Sequence, residues 1–160
     1  MPVIKEIDKV FVKYFIIVVL TAVALYWLFT VIDYKPLLPL TPTQVKIFEY
    51  FFSGIAVIQM FAIYITIQKV LFKHEVIDKI LRGIPDSEFE KSKLPPKETM
   101  IVNTTNMIYS QGIIVIIFGA GIGLLGAEIF TILSFFIIAI LMIFVSWLFI
   151  RHKSKTFFVE

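Results

Sequence analysis

The 160-residue chain is 59% hydrophobic, with a mean hydropathy of +0.92 and a net charge of only +3. Soluble domains are about 45–50% apolar; here the excess falls in blocks able to cross a hydrocarbon core of about 30 Å, so a soluble fold is excluded. The absence of cysteine excludes disulfides, thiol nucleophiles and cysteine metal sites, and basic residues confined to the flanks of the apolar blocks argue against nucleic acid.

The first element is preceded by the charged segment MPVIKEIDKVFVK. A span is predicted over 14–32. This block is longer than the roughly 7–15-residue core of a signal peptide, so it is read as a retained span. The loop DYKPLLPLTPTQVK follows, where Pro36, Pro39 and Pro42 predict a stiff, extended spacer. A second span is predicted over 47–68. Its notable polar residues are Ser53, Gln59 and Thr66, and an isolated glutamine at that depth is expected to hydrogen-bond a neighbouring helix. Lys46 and Glu49, three residues apart at the entrance, are positioned to pair.

The polar connection covers 69–106. Within KHEVIDKILRG, Val76, Ile77, Ile80 and Leu81 share one helical face, so the second span is expected to continue as an amphipathic helix until Gly83 and Pro85 stop it. The next long helix can start at Pro96, with Glu98 favourably placed in its first turn. Thr99, Asn103, Asn106 and Ser110 recur at spacings of four, three and four. They form a polar stripe at the cytoplasmic start of this helix, read as a vestibule, a docking face or simply a wetted side.

From Glu98 to Arg151 the only charged residue is Glu128. One helix through 107–150 would be about twice the bilayer core in length, so the chain must turn near its middle. Spans are therefore predicted over 107–126 and 129–150. Gly112, Gly119, Gly123 and Gly126 lie along one face, with Gly119 and Gly123 forming a GxxxG pair. This is a helix-packing interface that permits close backbone approach, against an internal helix or a second subunit. Gly126 is also suited to a left-handed helix end. Glu128 is expected in the first turn of the last span, where an acid suits the helix N-terminus; together with Gln59 it is also the candidate ion or proton site.

The fold class expected is an all-α integral membrane protein, a single domain of four transmembrane helices arranged as two hairpins. Thirteen lysines and arginines fall on the side of the termini and the 69–106 connection, against Lys35 and Lys46 on the other. The positive-inside rule places both termini in the cytoplasm. Tyr14, Trp27, Tyr34, Tyr50 and Trp147 suit interfacial belts.

No catalytic residue, cofactor or metal site is expected. His74 and His152 are read as surface residues at span ends, and neither an HExxH nor a P-loop occurs. The predicted function is a non-catalytic subunit of a larger complex in the plasma membrane, with other integral membrane subunits and lipids as partners. The alternative is a small homo-oligomeric transporter or channel using Glu128, Gln59 and the polar start of the third span. A lipid-binding surface adaptor ranks lower, because Glu75, Asp78, Asp86, Glu88, Glu90 and Glu98 nearly cancel the basic charge of the connection.

Overall fold

A computed structural model describes residues 2–31 and 36–158. Met1, Ile32, Asp33, Tyr34 and Lys35, and the final Val159 and Glu160, lie outside the described residues. The described residues form five α-helices: α1 (Pro2–Val31), α2 (Pro42–Ile65), α3 (His74–Arg82), α4 (Pro96–Leu124) and α5 (Ile129–Phe157). Four of them, all but α3, are long and apolar enough to cross a membrane.

Helix α1 starts twelve residues before the predicted span. Its 30 residues extend about 45 Å, well beyond a hydrocarbon core of about 30 Å. The added turns are amphipathic. Val3, Ile4 and Ile7 are buried while Lys5 and Lys9 are exposed. Lys5, Glu6, Lys9 and Lys13 thus mark one face of a helix, a pattern that hydropathy averaging hides.

Helix α2 begins with a capping box. The Thr41 backbone N–H donates to Gln44 Oε1 (2.9 Å), and the Gln44 N–H donates to Thr41 Oγ1 (3.3 Å), with Pro42 at the first helical position. Past Ile65 the helix widens into a π-helical turn, Thr66–Leu71. The expected continuation into the amphipathic segment does not occur. Lys73 is extended (φ −114°, ψ 115°), and α3 is a separate helix. The break lets Phe72 pack edge-on against Phe157 and His74 stack on the same ring at 3.9 Å, which docks the chain onto the end of α5. Ile77 buries the apolar face of α3, and Asp78 pairs with Lys97 of α4 at 3.0 Å.

Helix α4 starts at Pro96 as expected. The turn to α5 falls at 125–128, where Gly126 takes φ +104°, a conformation open to glycine and costly for other residues. The core is a three-helix unit in which α4 packs along α5 and α1 lies against both. Helix α2 is applied mainly to α4, and it makes little direct contact with α1, contrary to the pairing expected of the first two spans. The loop before α2 explains this. The Leu37 N–H donates to the carbonyl of Leu124 at the end of α4 (2.9 Å), so the chain crosses the α4–α5 turn before α2 descends. On α4, Tyr109 meets Phe11 and Tyr14 of α1, whereas Gln111 meets α2. Two residues subtend about 200° on an α-helix, so α1 and α2 occupy opposite sides of α4.

Candidate functional site

The predicted glycine interface is internal. A Cβ at Gly112 would lie 2.5 Å from Ile143 Cδ1, one at Gly119 would lie 2.8 Å from Phe135 Cβ, and one at Gly123 would lie 2.7 Å from Ile132 Cδ1 and 2.8 Å from Phe29 Cζ. Three of the four glycines therefore hold α4 against α5 and, at Gly123, against α1. Gly126 is not part of this seam; it is exposed, in the turn, facing Pro36. Gly121, between the two members of the GxxxG pair, points into open space.

Gln59 does bond a neighbouring helix. Its Nε2 donates to Gln111 Oε1 at 2.9 Å, joining α2 to α4. Gln111 escaped the sequence reading, although it is the only amide in the run 107–150. Two amides in otherwise apolar spans are natural partners, because hydrocarbon offers neither an alternative. Phe52 and Phe118, ring centroids 5.1 Å apart, pack along the same α2–α4 seam. The pair should contribute about 0.6 kcal/mol of coupling, with about 1.7 as a ceiling. A double-mutant cycle of Gln59→Leu and Gln111→Leu, read as unfolding free energy in detergent, should return a value in that range. Zero coupling would mean that the amides do not meet.

Glu128 is separate from this pair. It occupies the N-cap position of α5, its carbonyl accepts from the Thr131 (3.0 Å) and Ile132 (3.2 Å) N–H groups, and its side chain is exposed without a capping bond. It lines a polar cavity of about 390 Å³ with Lys46 and Glu49, beneath the proline-rich loop. Lys46 and Glu49 share the cavity without the expected ion pair; the ion pairs among the described residues are Asp8–Arg151 and Asp78–Lys97. Gln59 lies ten residues further along α2 than Glu49, or about 15 Å. Glu128 and Gln59 therefore do not form one site.

A third polar group joins the chain's two ends. Asp8 of α1 accepts from Trp147 Nε1 (2.8 Å) and from Arg151 Nε (3.1 Å to Oδ1, 3.3 Å to Oδ2), both on α5. Phe11 stacks on Trp147 at 4.4 Å with planes 13° apart, and Arg151 lies over the same indole at 5.8 Å. Asp8 does not stand out in the sequence, because the apolar run that marks the first span begins only at Tyr14. Extended back to Pro2, the helix places Asp8 one turn from Ile4 on the buried face, an acid that needs a partner.

The polar stripe divides. The Thr99 hydroxyl donates to the Leu94 carbonyl (3.1 Å) and lies 2.7 Å from Ser92 Oγ, which ties the connection to the first turn of α4. Ser110 Oγ donates to the Met107 carbonyl. Asn106 is half-buried and Asn103 is exposed. Thr99 and Asn103 open onto a groove of about 510 Å³ beside the start of α1. The two histidines do not meet: His74 is stacked on Phe157 and His152 is exposed on α5.

Compared with known protein families, curated proteins and solved structures, the chain matches none. The described residues form an all-helical fold with four helices suited by length and composition to an integral membrane protein.

Proposed function

We propose that this chain is a non-catalytic subunit of a larger complex in the plasma membrane, with both termini cytoplasmic, and that α2 is its docking helix. The observation that carries this reading is the aromatic surface that α2 leaves outside the bundle, on a helix that contacts mainly α4, whereas α1, with a similarly small buried share, packs on both α4 and α5. Helix α2 buries only Val45, Ala56 and Ile63 in the bundle. Its remaining surface is broad and aromatic, with Tyr50, Phe51, Ile58, Phe61 and Tyr64 all more than half exposed. Aromatic side chains supply large, stiff contact areas and are enriched at protein interfaces. In lipid, apolar surface alone gives no drive, so this reading rests on a partner that matches the shape of the α2 surface by close packing. The glycine seam, by contrast, is occupied within the chain and is not available to a partner.

The transporter alternative draws no support from the separation of Glu128 and Gln59. Extraction from the native membrane in mild detergent, followed by native mass spectrometry, tests the subunit reading. The chain is expected to emerge with fixed partners, and Phe61→Ala/Tyr64→Ala should release them while leaving the chain folded. Recovery of the wild-type chain alone, or only as copies of itself, would overturn the proposal.

Orientation has its own test, made clean by the absence of native cysteine. Ser87→Cys, on the connection, should react with a membrane-impermeant maleimide only in inside-out vesicles, and Thr43→Cys only in right-side-out vesicles. The reverse pattern would invert the topology.

A further inference from the structure

At the end of the bundle that holds the start of α1, the chain brings three lysines to one groove. Lys5 and Lys9 are one turn apart on α1, and Lys93 reaches the same groove from the connection before α4. None has a carboxylate within ion-pair distance, since the ion pairs among the described residues use Lys97 and Arg151. Glu6 also lines the groove, which leaves two net positive charges. Like charges held together in this way repel each other and raise the local potential toward anions. The Ser92 and Thr99 hydroxyls are engaged with each other and with Leu94, so they set the wall of the groove. Asn103 makes no side-chain hydrogen bond with the described residues and keeps its amide available.

The depth of the groove selects among anions. Lys9 precedes Tyr14, where the first apolar block begins, by five residues, or about 7 Å along the helix. The headgroup region on each side of a bilayer is about 5–7 Å deep. Lys9 therefore stands at the outer edge of the headgroup layer and Lys5 one turn, about 6 Å, further out, and their long side chains can reach down to the abundant anion there, a phospholipid phosphate. We infer that this groove binds the headgroup of an anionic phospholipid. The Lys5, Lys9 and Lys93 ammonium groups meet the phosphate, and the Asn103 amide donates to a headgroup oxygen. Lysine suits this role as a compact charge with three donors. The inference concerns the opposite side of α4 from the α2 face and stands whether or not the chain belongs to a complex.

The test uses the full chain purified in neutral detergent, titrated with phosphatidylglycerol or phosphatidylcholine and read by native mass spectrometry. Wild-type protein is expected to retain a first phosphatidylglycerol in preference to phosphatidylcholine. Each lysine removed should weaken that first binding about fivefold, so Lys5→Gln/Lys93→Gln should weaken it about 25-fold. Lys153→Gln/Lys155→Gln makes the same charge change at the same end, outside the groove, and should leave it nearly unchanged. Both double variants alter side chains without ion-pair partners and should keep the wild-type melting temperature. Equal losses in the two double variants, or no preference for the anionic lipid, would overturn the inference. Displacement of the lipid by millimolar inorganic phosphate would reassign the groove to a soluble phosphate. Displacement by a polyglutamate peptide would reassign it to an acidic protein segment.

Discussion

Gly119→Ala should destabilise the chain by about 1–3 kcal/mol, the range for overpacking a filled interface. The added methyl would stand 2.8 Å from Phe135 Cβ and 3.1 Å from Phe136 Cε1. The first of these is fixed to the α5 backbone and cannot swing away, so the two helices must separate. Gly112→Ala should cost less, because its methyl meets the flexible end of Ile143. Gly121→Ala is the internal control. It meets nothing within 4 Å, so it should be neutral or stabilise by up to ~1 kcal/mol through its better helix propensity. Thermal unfolding in detergent, followed by far-ultraviolet circular dichroism, measures all three. The order Gly121, Gly112, Gly119 in rising cost is the signature of a seam filled from within. Unchanged stability of Gly119→Ala, combined with loss of a partner, would instead place the seam at an intermolecular contact.

Asp8→Ala should cost about 1–2 kcal/mol. It leaves the Trp147 indole N–H and the Arg151 guanidinium without their shared acceptor. The estimate is held low because both charged side chains are about a third exposed, which lets solvent compensate in part. Asp8→Asn keeps an oxygen for Trp147 but removes the charge that faces Arg151, so it should lose roughly half as much. Fluorescence provides a local readout. In a Trp27→Phe background the emission of Trp147 reports alone, and Asp8→Ala should shift it as the indole loses its hydrogen bond and its stack on Phe11 loosens. An unmoved emission maximum and melting temperature would mean that the junction between the start of α1 and the end of α5 is held by apolar packing alone.

Both predictions rest on contacts of different visibility in the sequence. The glycine positions were legible, because their spacing puts them on one face whatever lies opposite. Their occupant was not, since one sequence does not say which side chains fill a groove. The amide of Gln59 announced a partner without naming it, and Gln111 was one of few polar candidates. Asp8 was hidden because the hydropathy of MPVIKEIDKVFVK is low, and hydropathy marks the helix only from the apolar run onward. The structure instead carries it back to Pro2, with Val3 and Ile7 fully buried in a helix that packs on α4 and α5.

By itself the sequence determined the four helices long and apolar enough to span a membrane, the start of α4 at Pro96, the turn near Gly126 and the lopsided placement of basic residues. All of these are local properties: hydrocarbon thickness, proline and glycine geometry, and charge. Only the tertiary structure decided that α1 packs on α4 and α5 instead of on α2, that α2 stands at the margin, and that Lys5, Lys9 and Lys93 meet in one groove apart from the acids of α3. The reason lies in the solvent. An apolar side chain in lipid is equally satisfied by acyl chains or by another helix, so hydropathy marks the depth of a residue and says nothing of its neighbour. Steric fit at the glycines and the scarcity of polar partners choose the neighbours, and both come into being only when distant segments are brought together.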